Sequence, residues 1–131
     1  MRYMLGTNVV SHLVRAHPSV SRRVASMPAG HLCISAVTEA ELRYGLEKHR
    51  GAHRLQSLIY EFLASIPIMP WRHEEAIVYA QFRNSLERQG RSLAAHDALI
   101  AAHAKSLGLI LVSNDQAFVN LVDMPFEDWT H

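Results

Sequence analysis

Short, wholly apolar runs alternate along this chain with longer segments whose apolar residues recur every three or four positions. Tyr3-Met4-Leu5 reads as a first strand, over about residues 2–5. Helices follow near 8–16 and 18–27, the second opening on Pro18, a favoured first helical position. Leu32-Cys33-Ile34-Ser35 reads as a second strand. A helix then runs from about Thr38 to His49. Leu55, Leu58, Ile59, Phe62 and Leu63 recur at helical spacing and predict a helix over 53–66. That apolar face either joins the core or offers a groove to a partner. Ile66-Pro67-Ile68-Met69-Pro70 predicts a short strand bracketed by prolines. His73 to Gln89 is a long helix closed by Gly90, and Ala95 to Leu107 a helix that stops at Gly108. Leu109-Ile110-Leu111-Val112 is the clearest strand. A short helix near 115–122 and a last strand near 125–128 complete the pattern.

Apolar strands alternating with helices predict a parallel sheet covered on both faces. Ligands of such sheets bind beyond the carboxyl ends of the strands. That rule gives meaning to the acids. Asp115 follows a strand, while Glu41 and Asp97 are expected in the first turns of helices. Gly6 occupies the fourth such place, where an acid would complete the set. All four positions are expected at one edge of the sheet.

Composition narrows the chemistry. The chain has 131 residues, 49% of them hydrophobic, which suits one compact domain over 1–131 with a sizeable core. Thirteen Lys+Arg against twelve Asp+Glu give a net charge of +1, so overall charge does not point to nucleic acid. Arg83, Arg88 and Arg91 nevertheless cluster before Asp97 and are candidates for phosphate contacts. The single cysteine, Cys33, lies in an apolar run and reads as a buried thiol. That usage fits a reducing cytoplasm. No apolar signal segment opens the chain, and no run approaches the ~20 residues that span a membrane.

Each acid also has a structural reading. Glu41 follows Thr38 at the T-x-x-E spacing of a capping box. Asp97 suits the positive end of a helix, and Asp115 suits a cap. Their conjunction favours a site. Carboxylates brought together repel each other unless a cation holds them. Oxygen donors without paired Cys or His favour Mg²⁺ or Mn²⁺. The reaction class is hydrolysis of a phosphodiester, with a metal-bound water as attacking group. Thr7, Asn8, Ser113 and Asn114 can cap helices or hydrogen-bond a bound water. Glu74 and Glu75 read as structural. His96 and His103 share a helix face and match no zinc spacing. No phosphate-binding glycine loop or nucleophile elbow is present.

Read together, these segments resemble the PIN-domain ribonucleases, specifically the VapC-type toxins. YML-G-TNVVSHL is similar to the family's opening, YMLDTN. ISAVTEAELRYGLEK is similar to its second block, whose acid falls on Glu41. HDALIAAHAKSLGLILVSND is similar to its third, which carries Asp97 and ends in the Ser113-Asn114-Asp115 turn. The terminal FEDWTH is also similar. The resemblance implies a three-layer α/β/α domain with a short parallel sheet flanked by helices. It implies a Mg²⁺- or Mn²⁺-dependent endoribonuclease that inhibits translation by cutting tRNA in the anticodon region. Glu41, Asp97 and Asp115 would be its catalytic and metal-binding acids. It further implies a homodimer, a VapB-type antitoxin as partner, and operator DNA bound only through that antitoxin. Gly6 stands where the family has its first metal-binding Asp, so this form is expected to be impaired. The alternative reading is a non-catalytic module that binds an antitoxin or RNA.

Overall fold

The computed structural model describes residues 1–131 except Ala29 and Val122. Five strands form one parallel sheet: β1 (Tyr3–Leu5), β2 (Leu32–Ser35), β3 (Ile68–Met69), β4 (Ile110–Val112) and β5 (Phe126–Glu127). Their spatial order is β3-β2-β1-β4-β5. Tyr3, Met4 and Leu5 face Leu32, Cys33 and Ile34 on one side and Ile110, Leu111 and Val112 on the other. The chain therefore grows from β1 outward to β3, then returns to the far side of β1 for β4. The topological switch lies between β1 and β4, where a crevice opens at the carboxyl ends.

Helices cover both faces. Helices α1 (Thr7–Val14) and α2 (Pro18–Ser26) link β1 to β2. Helices α3 (Ala36–Lys48) and α4 (His53–Ser65) link β2 to β3. Helices α5 (His73–Arg88) and α6 (Ala95–Ser106) link β3 to β4. Alternation along the strands assigns the layers. Tyr3, Leu5, Ile34 and Val112 pack with Val9, Val10, Val20, Leu42, Leu46, Ile59 and Leu63 on one face. Met4, Cys33 and Leu111 pack with Phe82, Leu86, Ile100 and Ala101 on the other. The result is the expected three-layer α/β/α arrangement. Trp129 is buried in the first layer, edge-on to Tyr3 with ring centres 5.2 Å apart.

Several expectations change in detail. The face of α4 divides: Ile59 and Leu63 are buried in the core, while Leu55, half-buried beside them, lines an open groove with Leu58 and Val14. Helix α3 begins at Ala36, two residues before the expected Thr38, because Ser35 is its cap and accepts from the Val37 N–H at 3.0 Å. Strand β2 thus passes directly into α3. Thr38 is buried inside the helix, and Glu41 stands in its second turn rather than its first. The T-x-x-E capping box does not form there. At the start of α5, Glu75 does make the return half of such a box, accepting from the Arg72 N–H at 2.7 Å. The expected helix over 115–122, whose last position lies outside the described residues, is one turn of 3-10 helix, Gln116–Phe118. Cys33 is fully buried, which pushes its thiol pKa up to about 11. Among the described residues no helix is long and apolar enough to cross a membrane.

Candidate metal centre

The site is assembled from four chain segments that leave or border the carboxyl edge of the sheet. Gly6 follows β1 and caps α1 with extended backbone, φ −74° and ψ 166°. Its N–H donates to the Val112 carbonyl at 2.9 Å, which carries the β1–β4 ladder one residue past the strands. Any residue can adopt this conformation. A Cβ built here would lie 3.1 Å from the Val112 carbonyl oxygen. An aspartate fits after a shift of a few tenths of an ångström in that contact.

Thr7, the first residue of α1, reaches across to α3. Its hydroxyl donates to Glu41 Oε1 at 2.6 Å and lies 3.4 Å from the Thr38 hydroxyl. This bond fixes one oxygen of Glu41 and leaves the other free. Glu41 Oε2 and Asp97 Oδ1 lie 3.4 Å and 3.6 Å from His96 Nε2. Asp97 sits in the first turn of α6. Burial pushes its carboxyl pKa up. His96 pulls the other way, and the charges of Asp115 and Glu41, with a hydrogen bond that the protonated Asp97 donates to Asp115, add to the rise. The three acids therefore share one electrostatic environment.

Asp115 has two duties. Its Oδ1 accepts from the Ala117 N–H at 2.9 Å and caps the 3-10 turn. Its own N–H donates to the Ser113 hydroxyl at 3.1 Å. Asn114 turns toward His12, Nδ2 to Nε2 at 3.3 Å. Asn8 is exposed on α1. A small pocket beside Asp97 is lined by Gly6, Thr7, Asn8 and Ser113, so Asp97 alone of the three acids shares that space with Gly6.

The arginines divide. Arg83 is exposed and bonded to Glu87 at 3.1 Å and the Tyr79 hydroxyl at 3.1 Å. Arg88 is exposed at the end of α5. Arg91 instead donates to the carbonyls of Ala117 and Val119 at 2.8 and 3.0 Å and clamps the turn that Asp115 caps. Sequence reasoning missed His96 as a member of the site. Its only signal is adjacency to Asp97; the contact with Glu41 joins residues far apart in the chain.

Among the described residues no three His, Cys, Asp or Glu side chains close into a group able to cage an ion alone. What the site offers is Glu41 and Asp97 gathered on His96, with Asp115 near enough to raise the Asp97 pKa. Mg²⁺ is commonly held by one or two carboxylates, with water and substrate phosphate completing its shell, so the donor chemistry fits.

Comparison with known proteins agrees with this fold. The PIN domain family matches residues 3–123. The ribonuclease VapC2 of Haemophilus influenzae is 35% identical over 130 residues, covering 98% of each chain. A tRNA(fMet)-specific endonuclease VapC of Shigella flexneri is 34% identical over 131 residues, covering 99% of each. The crystal structure of VapBC2 from Rickettsia felis, bound to a DNA fragment from its promoter, contains a chain that superposes with a TM-score of 0.89 at 30% identity, covering 98% of this chain and 99% of that one. Fold and relatives converge: this chain belongs to the PIN-domain family, in its VapC branch.

Proposed function

We propose that this chain is the toxin of a VapBC-type pair and that its site is built to hydrolyse phosphodiesters of RNA. The observation that carries the reading is the convergence of Glu41, Asp97 and Asp115 beside Gly6 at the switch point, with Asp97 driven toward protonation by burial and by its acidic neighbours. Like charges are gathered this way where a cation and a phosphate are to be received. The names of the relatives support the substrate class: one is a ribonuclease and another a tRNA(fMet)-specific endonuclease. Cutting of tRNA in the anticodon region is the narrower form of this proposal.

In this reading Mg²⁺ or Mn²⁺ is held by Asp97, Asp115 and Glu41, and when bound supplies a water of lowered pKa and positive charge for the phosphate. The protein's own part is positioning. Thr7 orients Glu41, the Ser113 hydroxyl fixes the backbone of Asp115, and Asn8 borders the space where water is held, while Asn114 is turned to His12. The start of α6 presents backbone amides that favour an anionic phosphate. The protein works as a homodimer, and a VapB-type antitoxin covers it and carries the pair to operator DNA, as the promoter-bound relative suggests. Gly6 removes one donor, so this form binds metal weakly and cuts slowly. A second reading rests on the same glycine: a module that binds antitoxin or RNA without cutting.

The test is cleavage of a tRNA pool by this chain and by Gly6→Asp, with Mg²⁺ or Mn²⁺ and with EDTA. The variant is expected to cut at least about a hundred-fold faster, because a metal's charge contributes several kcal/mol to such transition states. EDTA is expected to abolish the gain. Equal rates for the two forms would refute the role of position 6. Absence of cleavage by both would favour the binding module.

A further inference from the structure

Helix α3 carries Glu41 on one side of its exposed face, and one turn further along it carries Tyr44. Two-thirds of Tyr44 is open to solvent (67%), the most exposed of the large hydrophobic residues described. A single exposed aromatic is ordinary on a protein surface. Its place is what matters. Residues three apart on a helix are neighbours, with Cβ atoms about 5–6 Å apart, so the ring stands beside the carboxylate that faces His96. Lys48, one turn beyond Tyr44 and also exposed, continues the same stripe.

A second observation is independent of the tyrosine. Gly45 lies inside α3, where glycine is a poor helix former. Nothing in the chain calls for it. Its φ is not positive, and a Cβ built there meets no atom within 4 Å. The usual intramolecular reasons for glycine are absent, and close approach of something outside the chain remains. Gly45 is four residues from Glu41, so the bare backbone opens onto the same stripe.

Resting on the ribonuclease reading, we infer that Tyr44 and Gly45 form a stacking platform for an unpaired nucleobase of the RNA next to the phosphate held at Glu41. The ring takes the face of the base, the glycine lets the sugar approach the helix, and Lys48 meets the next phosphate. Base–aromatic stacking is the common means of holding single-stranded RNA. Lys48 at one end of the stripe favours a polyanion over an apolar protein segment, and the carboxylates at the other end receive a phosphate once a cation is bound there.

The test is binding of a fluorescein-labelled hairpin RNA with an unpaired loop, by anisotropy in EDTA, so that neither metal nor cleavage enters. Tyr44→Ala is expected to weaken binding about tenfold, within the range one stacked base supplies, and Tyr44→Phe to stay close to the parent. Gly45→Ala is expected to raise Tm by a few degrees while weakening RNA binding, a split that a purely structural glycine would not give. RNA binding by the parent with no loss in Tyr44→Ala would overturn the platform and leave the ribonuclease reading standing. Unchanged RNA affinity with an altered molar mass in light scattering would overturn it in favour of a contact between copies of the chain. No RNA binding by the parent or any variant, in EDTA and again with Ca²⁺ in its place, would overturn both.

Discussion

Helix α6 carries two polar clusters of opposite character. At its exposed start, Asp97 meets Asp115, Glu41 and His96. Two turns later His103 is buried among helices and strands, with 1% exposure, and every polar atom is partnered. Its Nδ1 lies 2.7 Å from the Ser35 hydroxyl, and its other nitrogen donates to the Pro70 carbonyl. That assigns the tautomer: Ser35 donates to Nδ1 and accepts from the Val37 N–H. Glu75 lies close by on α5, held by the Arg72 N–H. One cluster gathers three acids around a single histidine and leaves negative charge in excess. The other gives each buried group a hydrogen-bond partner and ties α6 to β2, α3 and the end of β3. Uncompensated charge marks the place that awaits a ligand, and the satisfied relay keeps that place in register.

The largest effect is expected from breaking the relay. His103→Ala leaves a cavity, the Ser35 hydroxyl and the Pro70 carbonyl without their partner. The cost is about 3 kcal/mol, on the order of 10 °C in Tm, measured by thermal and urea unfolding. Burial holds the His103 pKa below its usual 6.5. The unfolded chain therefore takes up the proton first as pH falls. The stabilisation is full above about pH 6.5 and is lost below it, toward the lower folded value. Stability of the parent should decline between about pH 7 and 5.5, and His103→Ala should flatten that part of the profile. Equal slopes would show that other histidines carry the effect.

A smaller effect sharpens the comparison from the other side. Arg91 and Asp115 grip the same residue: Arg91 donates to the Ala117 carbonyl while Asp115 accepts from the Ala117 N–H. The third acid of the charged cluster is thus placed by hydrogen bonds made outside it. Arg91→Ala should cost about 2 kcal/mol and speed amide exchange through residues 116–119. Arg91→Lys should not restore protection, since a single ammonium cannot match the guanidinium's geometry. Unchanged exchange would mean that Asp115 holds the turn alone.

This contrast also explains what the sequence made legible. Apolar runs revealed the strands, because a sheet buried on both faces needs them. The Gly90 and Gly108 stops were readable because each takes a left-handed conformation, φ 69° and 68°. The start of α3 was not readable. Thr38 and Glu41 have the spacing of a capping box, but tertiary contacts took both: Thr38 was buried and Glu41 was claimed by Thr7, 34 residues away. His96 was passed over for the same reason, since its contact with Glu41 is set by how α3 and α6 pack. Arg91 looked like a free cation because backbone acceptors leave no trace in a sequence. Local patterns record what a residue does within its own element, and the site is made from what residues do between elements.

The smallest expected effect has the opposite sign to the others and divides the two clusters most sharply. Asp97 has its carboxyl pKa raised, first by burial and then by Asp115 and Glu41 acting against His96. A raised pKa means that the folded protein binds this proton more tightly than the unfolded chain. Its contribution is favourable in acid and is lost as pH rises from about 3.8 through the folded value. At neutral pH and without metal, the ionised group therefore costs stability. Asp97→Asn keeps the shape and removes the charge, so in EDTA at neutral pH it should raise stability by up to about 1 kcal/mol, read as a small increase in Tm. Adding Mn²⁺ should then raise the Tm of the parent and leave that of the variant unmoved, because only the parent retains the ligand. A variant less stable than the parent in EDTA would mean that attraction to His96 outweighs repulsion by the other acids. The start of α6 would then be a satisfied ion pair like the relay below it, and the distinction between the two ends of the helix would fail.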